Sequence, residues 1–91
     1  MRADGTPRWE PLLALFSARQ AAEWMWMGWV AHPAGGRIEL YKHAVTRRHL
    51  SLDERGGAWL WDTDEDLYRP CERHSAIHWA LGESDERPAG T

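Results

Sequence analysis

The sequence predicts an α+β fold: an antiparallel β-meander of four to five strands flanked by an N-terminal and a C-terminal helix. Three observations lead there. Apolar residues recur at helical spacing near both ends of the chain and at alternate positions in its middle. Glycine-bearing or polar breaks at 32–36, 44–46 and 53–57 divide that middle at regular intervals. The runs between the breaks are rich in β-branched and aromatic residues, which suit a pleated, half-buried surface.

The first helix is expected over 8–23, or over 11–23 with Pro11 as its first residue. Thr6 can cap the longer version, Pro7 suits its opening and Glu10 sits where the helix dipole favours an acid. Leu12, Leu15, Phe16 and Ala22 form its stripe, widened by Leu13. Strands follow near 25–31, 37–43, 47–52 and 58–62, and "LYR" at 67–69 supplies the stub of a fifth. The Trp and Met of "WMWMGWV" are expected in the core, with Gly28 marking a bulge or a close backbone approach. A second helix opens at Pro70 and ends at Gly82, with Ile77 and Leu81 on its inner side. Residues 1–7 and the polar segment 83–91 are expected to be flexible tails on a single domain spanning 1–91.

Composition limits what such a fold can do. Ninety-one residues bury a modest core, but seven tryptophans enlarge it, each burying ~150–250 Å². Cys71 is the one cysteine, so no intrachain disulfide forms and a reducing cytoplasm is the natural setting. The longest apolar run, Trp24 to Ala31, has eight residues, against roughly 20 for a membrane span. The opening "MRADGTPRWEP" lacks the charged-then-apolar pattern of an export signal. The net charge of −3 is uneven: residues 1–36 balance, 37–55 carry five bases against three acids, and 56–91 carry three bases against eight acids. A strong overall basic surplus, the usual mark of a nucleic-acid binder, is missing.

The stretch "IELYKHAVTRRHLSLD", 38–53, concentrates the chemistry. If its two strands pair through the "AVT" turn, Ile38, Leu40, Leu50 and Leu52 face the helices. Tyr41, His43, Arg47 and His49 then share the open side, with Lys42 and Arg48 at its rim on long, bendable stems. Trp59 and Trp61 face either the core, the commoner place for two indoles, or this open side. Four readings compete for the cluster: a solvated face with cross-strand polar pairs, a protein-binding surface anchored by Arg, Tyr and Trp, a nucleic-acid contact with stacking, and metal-independent RNA cleavage using His43 or His49 with Arg47.

Other patterns carry less. Cys71, His74 and His78 recur along one stripe of the last helix, but a zinc site needs further ligands from the sheet. "DTDEDLY", 62–68, has the alternating acids of a calcium loop without its glycine or closing glutamate. No cofactor or metal is therefore expected. The expected function is a small non-enzymatic binding or regulatory protein acting on a protein partner, as monomer or homodimer. An inhibitor of the kind carried by phages or mobile elements is one form of it. Nucleic-acid binding through the basic, aromatic hairpin is the alternative, and a small toxin-like ribonuclease the second. The binding residues are expected to be Tyr41, Lys42, His43, Arg47, Arg48 and His49.

Overall fold

The computed structural model describes residues 5–88. Five strands, β1 (Trp24–Ala31), β2 (Arg37–His43), β3 (His49–Asp53), β4 (Ala58–Asp62) and β5 (Leu67–Cys71), form one antiparallel sheet in chain order. Two one-turn helices, α1 (Glu10–Leu13) and α2 (Ala18–Ala21), precede the sheet, and α3 (Arg73–Ala80) follows it. The protein is an α+β meander, and its fifth strand is a full element rather than a stub.

The single N-terminal helix of the sequence reading is instead two turns. Ser17 interrupts it in an extended conformation. Its hydroxyl accepts from the Gln20 N–H, and the Gln20 side chain accepts from the Ser17 N–H. This capping box starts a new helix and so ends the previous one. Pro11 lies in the first turn of α1, where its missing N–H costs nothing. Pro70 does not open α3 but pairs opposite Trp59 in β5. The Glu72 carboxylate caps α3 by accepting from His74 and Ser75 N–H groups. Gly82, at φ +80°, ends the helix in a Schellman turn: Glu83 N–H bonds to His78 O, and Gly82 N–H to Trp79 O.

The β2–β3 register decides everything that follows. A three-residue turn, 44–46, would place Leu40 opposite Leu50. The connection has one residue more, closed by a 2.9 Å bond from His43 N–H to Arg48 O, with Arg47 in the left-handed region at φ 66°. Tyr41 therefore pairs with Leu50, and Glu39 with Leu52. A one-residue slip turns every side chain to the other face. The expected open-face residues Tyr41 and His43 are inside, 0% and 5% exposed. Ile38 and Leu40 face the other way, with Lys42.

The core lies on one face of the sheet. Leu12, Ala21, Ala76 and Ala80 from the helices meet Trp24, Tyr41, Leu50, Leu52 and Ala58 from the strands. Trp9 stacks on Tyr41 at 5.6 Å, and Phe16 packs on Trp24 at 5.7 Å. In β1, Trp24, Trp26 and Trp29 pair with covered-face residues of β2, and the register shifts between Trp26 and Gly28. Gly28, at φ +125°, is the bulge the sequence suggested. Met25 and Met27 are exposed rather than core.

Four side chains with polar groups are buried on this face, and each is satisfied there. The Arg37 guanidinium donates twice to the Glu39 carboxylate, at 2.7 and 2.8 Å, and once to Thr6 O. Trp26 Nε1–H also donates to Glu39. The Tyr41 hydroxyl donates to Arg8 O, and burial, with Glu39 and Glu10 nearby, pushes it far above the ordinary phenol range. His43 Nδ1 accepts from the Val45 and Thr46 N–H groups of its own turn, and its ring packs edge-on against Trp24. These contacts tie residues 6–9 across β2, where a frayed segment was expected. At the other end, Arg48 donates to Trp79 O and Ser84 O, and Arg87 donates to Trp61 O. Both guanidiniums lie over the Trp79 ring, at 5.0 and 6.0 Å. The inner part of the expected tail, 83–88, is thus held against the body, while residues 1–4 and 89–91 lie outside the described residues. Arg48→Ala should cost about 1–2 kcal/mol, from one cation–π contact and two carbonyl bonds. It should also speed proteolysis after Gly82, read by limited digestion and mass spectrometry.

No helix of the described residues is long and apolar enough to cross a membrane.

Candidate functional site

The second face of the sheet is also apolar, and the helix residues of the core do not cover it. By register it carries Met25 and Val30 from β1, Ile38, Leu40 and Lys42 from β2, and His49, Ser51 and Asp53 from β3. Trp59 and Trp61 of β4 and Tyr68 and Pro70 of β5 complete it. The two indoles therefore face outward, opposite to their commoner place. Ala58 takes the inward position against Leu52.

One end of this face is rigid. Asp53 is 6% exposed, accepts three hydrogen bonds and faces the His32 ring. Its Oδ1 takes the Arg55 and Gly57 N–H groups, both at 2.8 Å. Its Oδ2 takes Trp59 Nε1–H at 2.9 Å, and His32 Nε2 lies 3.3 Å from the same oxygen. Burial raises the carboxyl's pKa, but these hydrogen bonds and His32 outweigh it and hold the group below its usual range. His32 Nδ1 accepts from Ala34 N–H, so Nε2 carries the proton that Asp53 receives. Both ring nitrogens are engaged, and the His–Asp pair orients Trp59 instead of offering a free base. The His32 ring packs edge-on against Trp59 at 4.9 Å.

The other end is open. The β3–β4 ladder covers two pairs, Ser51–Trp59 and Leu52–Ala58. A cleft of about 300 Å³ lies beside it, lined by His49, Ser51, Trp59, Trp61, Tyr68 and Trp79 among others. Trp61 and Tyr68 meet edge to face at 5.0 Å, and Trp61 is 37% exposed. Burial raises the Tyr68 phenol. Lys42 pairs with His49 across the strands. Partial burial, then the Lys42 charge, hold the His49 imidazole below its usual range, so it is neutral at pH 7. Arg87, which lines the cleft, and Lys42, across from His49, are then the positive charges near a platform of two indoles and a phenol.

Of the six residues singled out in the sequence, the structure brings two together on this face, Lys42 and His49. Tyr41 and His43 point to the opposite face, and Arg48 is spent on the C-terminal segment. Arg47 is exposed at the hairpin turn. His43 and His49 lie on opposite faces, so of the two histidines that the ribonuclease reading offered beside Arg47 only His49 is exposed. The sequence reading left Trp59 and Trp61 open between the core and this side, and it did not single out Tyr68. The signal was there: "AWLWD" and "IEL" carry apolar residues at both parities, which a sheet with one wet face does not.

The remaining patterns resolve as follows. Cys71 ends β5 opposite Ala58, so it is not on α3 and the three-residue stripe shrinks to two histidines. Burial and then Glu72 raise its thiol, against Arg87, which keeps it protonated and unreactive. The acidic run 62–66 is the β4–β5 turn. Asp62 accepts from the Asp64 and Glu65 N–H groups and from Arg69. The calcium-like acid is thus occupied in holding its own hairpin.

No family model, curated protein or solved structure matches the chain.

Proposed function

We propose that the protein is a small binding module whose open sheet face takes a protein partner. The observation that carries this reading is the outward placement of Trp59, Trp61 and Tyr68 on a sheet whose other face already supplies the core. Aromatic side chains of this kind dominate interface energies because they bury much area at little entropic cost. Met25 and Leu40 extend the surface, and methionine adapts to irregular contacts. Lys42 and Arg87 are the charges near the platform, and burial with the Lys42 charge favours the neutral form of His49. A complementary partner therefore presents apolar side chains flanked by a carboxylate. Such a binder acts as a regulator or inhibitor of the protein it covers.

Trp61→Ala tests the reading, with circular dichroism to show that the variant is folded, because the ring is 37% exposed on this face. Affinity capture with tagged wild type and with Trp61→Ala should differ by one dominant protein. Once purified, that protein should lose about 2 kcal/mol or more of binding to Trp61→Ala, roughly thirtyfold in Kd. Lys42→Glu should weaken it further in low salt. Equal binding to all three forms sinks the proposal. Retention of wild type on single-stranded nucleic acid, falling steeply with salt, would favour the nucleic-acid reading instead.

A further inference from the structure

We propose that His74 and His78, backed by Glu83, form a binding site for a tetragonal divalent transition-metal ion, nickel(II) or copper(II). The site runs along one side of α3, from His74 in its first turn to His78 in its last, and is independent of the sheet face. Positions i and i+4 of a helix stand on one side of it. Here the two imidazoles face each other through their Nε2 atoms, 2.9 Å apart. His78 Nδ1 lies 2.6 Å from Glu83 Oε1. That nitrogen therefore carries the proton it donates to the carboxylate, and His78 Nε2 is left with a free lone pair aimed at His74.

The carboxylate is built into the helix end. Glu83 follows Gly82 in the Schellman turn, and its N–H is bonded to His78 O at 2.9 Å. The backbone of Glu83 is thus anchored to the residue whose ring its side chain orients. A carboxylate behind a ligating histidine fixes the tautomer and raises the basicity of the other nitrogen. In the metal-free pair, His74 Nε2–H donates to His78 Nε2. On metal binding the His74 proton moves to Nδ1, and both Nε2 lone pairs meet the ion, with no net proton released by the pair.

The spacing selects the geometry. Two nitrogens each about 2.05 Å from one ion are about 2.9 Å apart at a right angle and about 3.3 Å apart at the tetrahedral angle. The observed 2.9 Å fits the right angle of square-planar or octahedral ions. Among the described residues no group of three or more His, Cys, Asp or Glu side chains is placed to hold a metal ion. The other positions fall to solvent in the adjoining cleft of about 580 Å³, which Glu86 also lines.

Calorimetric titration of the metal-free full chain with nickel chloride should show one ion per chain. His74→Ala and His78→Ala should each weaken binding at least tenfold, and together abolish it. Glu83→Gln should keep the stoichiometry and weaken binding about tenfold, the usual effect of losing an outer carboxylate. His74 and Glu83 are exposed, so circular dichroism melts of these variants should match wild type. Nickel should bind tighter than zinc. Copper is a poorer discriminator, because it is favoured by almost any nitrogen site. No binding by wild type, or equal binding by the double alanine variant, overturns the site. A zinc preference overturns the tetragonal assignment, and an unchanged Glu83→Gln overturns the role of the carboxylate.

Discussion

Arg37→Met should lower the stability of the fold by about 3–5 kcal/mol, the cost of removing one partner from a buried ion pair. Glu39 is 1% exposed and Arg37 6%. Without the guanidinium, the Glu39 carboxylate keeps the Trp26 N–H but loses two charge-assisted bonds and its counter-charge. Thr6 O loses a donor as well, so the N-terminal segment is loosened over β2. A chain of this size has a total stability of about 5–14 kcal/mol, at ~0.05–0.15 kcal/mol per residue, so the loss is a large share. The double variant Arg37→Met, Glu39→Leu should recover most of it. No charge is then left unpaired, and a methionine stem can lie on the Trp29 ring where the guanidinium sits at 4.7 Å. Urea unfolding followed by tryptophan fluorescence measures both. A single variant within 1 kcal/mol of wild type would mean that water reaches the pair.

That pair also explains how far the sequence could be read. The meander was legible because breaks and alternation are local. The strand bounds differ from the sequence reading by at most two residues. The faces of β2 were not legible. Alternation divides β2 into Arg37, Glu39, Tyr41 and His43 on one side and Ile38, Leu40 and Lys42 on the other, and the rule of apolar residues inward selects the second set. The structure buries the first, because each member finds its partner within reach: a guanidinium two positions away, the Arg8 carbonyl, and the amides of the adjacent turn. Some of these partners are distant in sequence, the Arg8 carbonyl and the Trp26 N–H among them, and the register comes from a turn whose length is set by one left-handed residue, Arg47. The same slip carried the candidate site with it. Tyr41 and His43 went inside, and the outward aromatic set moved to β4 and β5. The break at Ser17 was a different kind of miss. The S-x-x-Q pattern of the capping box stood in the sequence, but the apolar stripe running through it on both sides masked it.

Asp53→Ala should be the next most damaging change, costing about 2–4 kcal/mol. Three donors and the His32 ring converge on this carboxylate, and hydrogen bonds to a charged acceptor contribute about 1.5–3 kcal/mol each before the donors find substitutes. Arg55, Gly57 and Trp59 would each be left with a donor in a half-dry site. The carboxylate also sits where nothing else fits: a Cβ on Gly57 would lie 2.7 Å from Asp53 Oδ2. The effect has a pH signature of fixed sign. The carboxyl is held below its usual value in the folded state. Its stabilisation is therefore complete above the unfolded value of about 3.9 and is lost as pH falls through the folded value. Asp62 and Glu72, also held low by hydrogen bonds, add to the same acid slope. Asp53→Asn keeps the shape and removes one titration, so its stability should fall less steeply with acid than that of wild type. A slope identical to wild type would show that Asp53 titrates alike in both states. Because Trp59 leans on Asp53 and His32, the variant should also loosen the rigid end of the aromatic face. The partner's affinity should then drop in Asp53→Asn under conditions where the fold is fully populated, which separates a binding defect from an unfolding one.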